Sequence, residues 1–166
     1  MRRNNKSICF IGNCSSKLPE NEIKLQELKL RMYKEINNAI ENNVDTFYFG
    51  ALYGFELMCA NLVLLRKKVI NMQNPKRVKL IAIVPYEEQA RNWKEEDREM
   101  YYSTLSQCDS VILIDKQYKE DCLVERNKYM VDHSSRIICY YNSCRGDKAY
   151  LLDYAKRKKF KITNLD

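Results

Sequence analysis

Gly50 and Gly54 stand at a spacing that invites an anion, with Glu56 two residues on, inside DTFYFGALYGFELMCANLVLLRKK, residues 45 to 68. Thr46 to Phe49 is a β-branched and aromatic run that reads as a buried strand. Leu57, Ala60, Val63 and Leu64 then recur at helical spacing. The glycines fall where the chain must turn from strand to helix. Such a turn leaves backbone N–H groups pointing at one spot at the helix N-terminus, a spot that favours phosphate. Plain turn chemistry explains the same glycines equally well. Glu56 has two readings. It is a carboxylate favourably placed on a helix dipole, worth about 0.3–1 kcal/mol, or an acceptor for a ligand hydroxyl such as a ribose.

Strand and helix patterns alternate along the chain. Strands are expected at residues 7–11, 46–49, 79–84, 110–114 and 136–141, the third ended by Pro85, with a short last strand at 160–163. Helices are expected at 22–41, capped by Asn21, at 54–70, at 87–106, at 124–133, and at 147–158, capped by Asp147. Near-continuous apolar strands between helices predict an α/β fold, a single three-layer Rossmann-like domain over residues 1–166 with a central, mainly parallel sheet. Ligands of such sheets sit beyond the strand carboxyl ends. The positions to watch are therefore Gly12 and Asn13, Gly50 to Glu56, Pro85 and Tyr86, Asp115, and Asn142 to Asp147.

Composition narrows the classes. The 166 residues are 45% hydrophobic and 31% charged, ordinary for a globular protein. No apolar run approaches the roughly 20 residues that span a bilayer, and MRRNNKSICFIG reads as a first strand rather than a leader. A cytoplasmic protein without membrane contact is expected. Seven cysteines accompany a single histidine, His133, and no Cys-x-x-Cys pair occurs, so a metal site is not expected. The net charge is +7, with Lys156, Arg157, Lys158, Lys159 and Lys161 crowded near one end and Arg2, Arg3 and Lys6 near the other. No aromatic-interleaved basic stripe accompanies them, so nucleic acid is not the expected partner.

Four separated segments carry a family resemblance: FGALYGFELMCAN, PYEEQARNW, ERNKYMVDHSSRIICYYN and LLDYAKRKKFKI. They resemble the YpsA-like branch of the SLOG superfamily, Rossmann-like domains that bind nucleotides or nucleotide-derived ligands. The resemblance covers nearly the whole chain. It places the family's glycine loop on Gly50, Ala51 and Gly54, with its acidic position at Glu56. The Pro-Tyr segment falls on Pro85 and Tyr86, with Gln89 and Trp93 one and two turns on. The Arg-Asn pair falls on Arg126 and Asn127, followed by Met130, Val131 and Asp132. Two departures stand out. The family's Thr-Gly-His-Arg is here Ile11, Gly12, Asn13 and Cys14. Its late Gly-Gly-Thr is Gly146, Asp147 and Lys148, which sets a negative charge where a phosphate would lie.

Single residues keep open alternatives. Trp93 either anchors its helix or stacks on a base. Arg126 either pairs with Glu125 or Asp132 at the surface or has a ligand or scaffold role, as the resemblance implies. His133 has no nucleophile near it in sequence and reads as structural. Of the tyrosines near strand ends (Tyr48, Tyr53, Tyr86, Tyr118, Tyr140 and Tyr141), one or two facing the crevice would sandwich a purine.

The resemblance implies a binding protein, a sensor or a sink that sequesters a nucleotide-derived signal, as in conflict between bacteria and phages. It also implies homo-oligomers. No cofactor is expected. The first alternative is a LOG-like hydrolase that cleaves the N-glycosidic bond of nucleoside monophosphates. Those enzymes carry Pro-Gly-Gly-x-Gly-Thr-x-x-Glu, whereas this chain has Lys148 and Leu151 at the threonine and glutamate positions. Any catalysis would fall to Glu56 or Asp147. The second alternative is a DprA-like nucleic-acid binder.

Overall fold

Six short apolar segments pair in register into one parallel sheet. The computed structural model describes residues 6–12, 18–75, 77–141 and 153–166. The strands are β1 (Ser7–Gly12), β2 (Thr46–Phe49), β3 (Lys79–Tyr86), β4 (Ser110–Asp115), β5 (Arg136–Tyr140) and β6 (Lys161–Asn164). Their order is β4-β3-β2-β1-β5-β6, and every adjacent pair is parallel. Ser7 lies opposite Thr46, and Gly12 lies opposite Tyr140. The order steps outward from β1 to β4 and then returns to the other side of β1. The switch therefore falls between β1 and β5, beside Gly12 and Tyr140.

The helices are α1 (Glu22–Glu41), α2 (Phe55–Gln73), α3 (Glu95–Gln107) and α4 (Cys122–Asp132), and residues 153–157 are also helical. Asn21 caps α1: its Oδ1 accepts from the Lys24 N–H at 3.0 Å, a cap worth about 1 kcal/mol. Leu28, Met32, Ile36 and Ile40 recur at helical spacing, and all four are buried in the larger core, with Phe10, Phe47, Phe49 and Phe55. Each such side chain contributes about 1.5–3 kcal/mol on burial. A second cluster on the other face joins Cys9, Ile11, Met130, Val131, Ile137, Cys139 and Ala155. The central strands are thus covered on both faces, which explains their continuous apolar runs, whereas the edge strand β4 leaves Val111 and Leu113 exposed.

Beyond shifts of one or two residues at other element ends, three boundaries differ from the sequence reading. β3 runs through Pro85 to Tyr86. The register of β2 ends at Phe49 opposite Ala82, so β2 makes no demand on the proline's missing N–H. The helix expected over 87–106 starts only at Glu95. Residues 86–93 instead fold as successive turns, with N–H donation from Gln89 to Tyr86 O, Arg91 to Glu88 O and Trp93 to Ala90 O. The second helix extends to Gln73, past the expected end near residue 70. Asp147 and the beginning of the last expected helix lie outside the described residues.

Candidate ligand site at the strand carboxyl ends

Glu56 ties two strands together. It has no exposed surface, and its carboxylate accepts the Gly50 N–H at 3.1 Å and the Gly12 N–H at 3.4 Å. One side chain at the head of α2 therefore joins the carboxyl ends of β1 and β2. Arg126 reaches the same place from α4 and is 2% exposed. It donates to the Gly50 carbonyl at 3.3 Å, while its Nε and second amino group donate to Asn127 Oδ1 at 3.1 and 2.9 Å. Gln89, also buried, donates to the Ala51 carbonyl at 3.2 Å. Three polar groups of the loop backbone, the Gly50 N–H and the Gly50 and Ala51 carbonyls, are thus held by buried side chains.

Steric demands explain the glycines. A Cβ on Gly50 would lie 2.8 Å from Glu56 Oε2 and 2.9 Å from Arg126 Nε, so only glycine lets both side chains close on the backbone. A Cβ on Gly12 would lie 2.2 Å from Phe55 Cδ1, and the Phe55 ring stacks on Tyr140 at 5.9 Å. Gly54 has φ 90°, which suits glycine. Ala51 has φ 57°, a left-handed conformation that costs an L-residue about 1–2 kcal/mol. The loop then enters α2: the Leu57 N–H returns to Leu52 O and the Met58 N–H to Gly54 O. The helix itself offers no carbonyl to the Phe55 and Glu56 amides.

Next to this loop, beyond β3 and β4, lies a cavity of about 750 Å³. Tyr86, Trp93 and Tyr118 give it aromatic walls, and Glu87, Glu88, Arg91 and Lys116 give it charge of both signs. Tyr86 and Tyr118 meet edge to face at 5.4 Å. Trp93 lies edge to face between Tyr53, at 4.8 Å, and Tyr101, at 5.2 Å. Gln89 lines the cavity and also holds Ala51, so it links cavity and loop. Burial raises the Tyr86 hydroxyl above its usual pKa. At the end of β4, the hydrogen bond from Lys119 holds Asp115 below the usual carboxylate range.

The sequence-predicted positions divide three ways. Gly12, Gly50, Ala51, Gly54, Glu56, Arg126 and Asn127 come together at the loop. Pro85, Tyr86 and Trp93 stand at or near the cavity, with Pro85 buried. Asn13, Asn142, Gly146, Asp147 and Lys148 lie outside the described residues. Arg126 forms no surface pair. Asp132, at the far end of α4, is bonded instead to Lys158 and Tyr154. Met130 and Val131 are core residues. His133 stacks on Tyr129 at 3.9 Å. Sequence reasoning missed Arg91, Lys116 and Gln117 as cavity residues; their position just after β3 and β4 was the available signal. Among the described residues, no group of three or more potential metal ligands gathers, and no helix is long and apolar enough to cross a membrane.

A model of the YspA SLOG family matches residues 13–165. A UPF0398 protein of Bacillus cereus strain G9842 is 28% identical over 134 residues, which cover 79% of this chain and 70% of that relative. A UPF0398 protein of Bacillus thuringiensis strain Al Hakam is 27% identical over the same extent. Among solved structures, DNA processing protein A from Streptococcus pneumoniae superposes with a TM-score of 0.61 at 12% identity, over 95% of this chain and 49% of that one. The corresponding protein of Helicobacter pylori, solved for its single-stranded DNA binding mode, gives 0.63 at 10% identity, over 95% of this chain and 64% of that one. The chain thus spans less than two thirds of either, and the likeness is one of fold.

Proposed function

The chain belongs to the YspA SLOG family, and from that premise we propose that it binds a nucleotide or nucleotide-derived ligand beyond the carboxyl ends of β2, β3 and β4. The observation that carries the reading is the Gly50–Gly54 loop. Its backbone is held in a costly conformation at Ala51 by three buried polar side chains, Glu56, Arg126 and Gln89. Backbone strain that the surroundings over-determine is a mark of ligand sites. The adjoining cavity falls within the usual 300–1,000 Å³ of small-molecule pockets. In this reading the α2 N-terminus and the loop amides beyond Gly50, whose own N–H is taken by Glu56, hold a phosphate, the Tyr86, Trp93 and Tyr118 faces take a base, and Glu56 positions the loop without touching the ligand. The role is that of a sensor or a sequestering sink.

The test is native mass spectrometry of the purified protein, with any co-purified small molecule identified, followed by chromatography of nucleoside monophosphates incubated with it. Bound ligand and no free base support the reading. Multiple turnovers would make the chain a hydrolase of the LOG type.

The second reading is a nucleic-acid binder, favoured by the likeness of fold to the Helicobacter pylori protein solved for its single-stranded DNA binding mode. The size of the cavity beside the glycine loop, about 750 Å³, argues for a small ligand instead. Its charge is mixed, since Glu88 pairs with Arg91 and Asp115, the last residue of β4, pairs with Lys119. Exposed Ile23, Leu30, Leu65, Val69 and Met72 on α1 and α2 are read as a face that pairs with a second copy. Sedimentation of the purified protein checks this, and a monomer at all concentrations would dismiss it.

A further inference from the structure

The helix that follows the glycine loop is apolar on two opposite faces. Leu57, Ala60, Val63 and Leu64 of α2 are buried in the larger core. Met58, Leu62, Leu65, Val69 and Met72 form a second row, at alternating steps of four and three residues. At about 100° per residue this row stays within about 40° of one line, on the side of the helix away from the core. Steps of four and three are the spacing of a seam between two helices, whereas a helix that ends at solvent is polar on its outer face. Both α1 and α3 pack against α2, so it is the middle helix of its layer and its outer row faces away from the sheet.

The relief of this row is uneven. Met58 and Leu62 are half-buried, and with Leu65, Lys29 of α1 and Met100 of α3 they line a groove of about 240 Å³. Leu65, Val69 and Met72 stand out from the surface, 59%, 56% and 85% exposed. One half of the row is thus a socket and the other half a ridge. Leu65 is the middle of the row, seven residues from Met58 and seven from Met72. A two-fold axis at Leu65 runs two α2 helices antiparallel and sets each ridge over the other copy's socket, the reciprocal fit that such symmetry demands. Parallel helices would set ridge on ridge. Socket and ridge on one helix, in self-complementary order, select a second copy over an unrelated helix. Charge has the same sense. Arg66 and Lys68 flank the ridge, and Arg66 Nε is buried without a hydrogen-bond partner. Asn61 bonds Thr104 near the socket, and the first turn of α3, with Glu95, Glu96 and Asp97, lies beyond it. Antiparallel pairing brings the cations of one copy toward the acids of the other.

We propose that the Met58 to Met72 row of α2 is an antiparallel, two-fold contact between two copies of this chain, centred on Leu65. The proposal rests on the pairing face named above and is independent of the ligand assigned to the crevice. Sedimentation velocity of the full chain over a range of concentrations should show a monomer–dimer equilibrium. Met72 is largely exposed, so Met72→Glu leaves the fold of the monomer intact. It should nevertheless weaken the dimer by roughly tenfold or more, as should Leu65→Glu.

Cross-linking reads the direction of the helices. A short bis-maleimide should join Leu65→Cys to its own copy well above the level of the parent chain. Met72→Cys should stay at the parent level, because antiparallel helices centred on Leu65 hold the two copies of position 72 about 21 Å apart along the helix axis. A chain that is monomeric at every concentration overturns the proposal and the pairing reading together. A dimer that survives Met72→Glu and Leu65→Glu but is broken by Ile23→Glu overturns the seam and leaves the pairing reading standing. Equal cross-linking at positions 65 and 72 overturns the antiparallel contact. Should Leu65→Glu not fold, Met72→Glu and the cross-links still decide the matter. Trp93 fluorescence titrated with nucleotides in Met72→Glu reads the crevice separately, so failure of the ligand reading is told apart from failure of the seam.

Discussion

Glu56 Oε2 accepts the Gly50 amide proton at 3.1 Å from a position with no exposed surface, across a glycine whose missing Cβ makes the approach possible. Gly50→Ala should therefore disturb the Glu56 and Arg126 contacts together. The expected cost is about 1–3 kcal/mol of stability, with loss of ligand binding, read by thermal melts and by titration. Glu56→Gln keeps the shape but weakens the bonds to Gly12 and Gly50, with a comparable cost. Any lowered activity in that variant would reflect a displaced loop, which makes binding and melting necessary companions to a turnover assay.

Gly12→Ala is the structural counterpart. The new methyl would meet the Phe55 ring, itself stacked on Tyr140 at the switch between β1 and β5. The variant should lose about 1–3 kcal/mol or more, visible as a lower midpoint in urea. Phe55→Leu in the same background should recover part of it, because a smaller side chain at 55 relieves the overlap. No recovery would mean that the clash is absorbed elsewhere.

Acid should loosen the C-terminal segment. Burial raises the Asp132 carboxyl, but the hydrogen bonds from Lys158 and Tyr154 and the Lys158 charge together hold it below its usual value. A depressed carboxylate contributes stability above the unfolded pKa of about 3.9, and the contribution is lost as pH falls through the lower folded value. The pair is roughly half exposed, so its worth is under about 1 kcal/mol. Stability should therefore fall below about pH 4, and Asp132→Asn should flatten that part of the profile. An identical acid profile in the variant would contradict the assignment.

Burial pushes the Cys9 thiol up to about 12 and the Cys139 thiol up to about 11, and it raises Cys59 as well. The thiolate is the reactive form, so site-resolved alkylation at mildly alkaline pH should leave these three unmodified until the chain unfolds. Rapid labelling of Cys9 in the native protein would show that the β1 environment is more open than described.

Much of the architecture was legible because its signals are local. Asn21 and the spacing of Leu28, Met32, Ile36 and Ile40 marked α1 to the residue, and apolar runs marked the strands. The third helix was not legible from 87 to 94, where tertiary contacts decide. Gln89 is drawn to Ala51 and Trp93 to Tyr53 and Tyr101, and the charged sequence there has no period that announces these contacts. The glycine loop was legible as a turn. The partners of its backbone were not, because Arg126 reaches Gly50 across 76 residues of sequence. For the same reason sequence alone left a surface pair and a ligand or scaffold role both open for Arg126, which is buried against Gly50.

Trp93 is the only tryptophan and lines the cavity, so its fluorescence reports on the site directly. The decisive measurement is titration of that signal with a panel of nucleotides and nucleotide derivatives, for the parent and for Gly54→Val. Valine at φ 90° cannot hold the loop that leads into α2. The account predicts a saturable change with at least one member of the panel in the parent, and none in a folded Gly54→Val. An equal response from both proteins, or no response to any member of the panel, would contradict it.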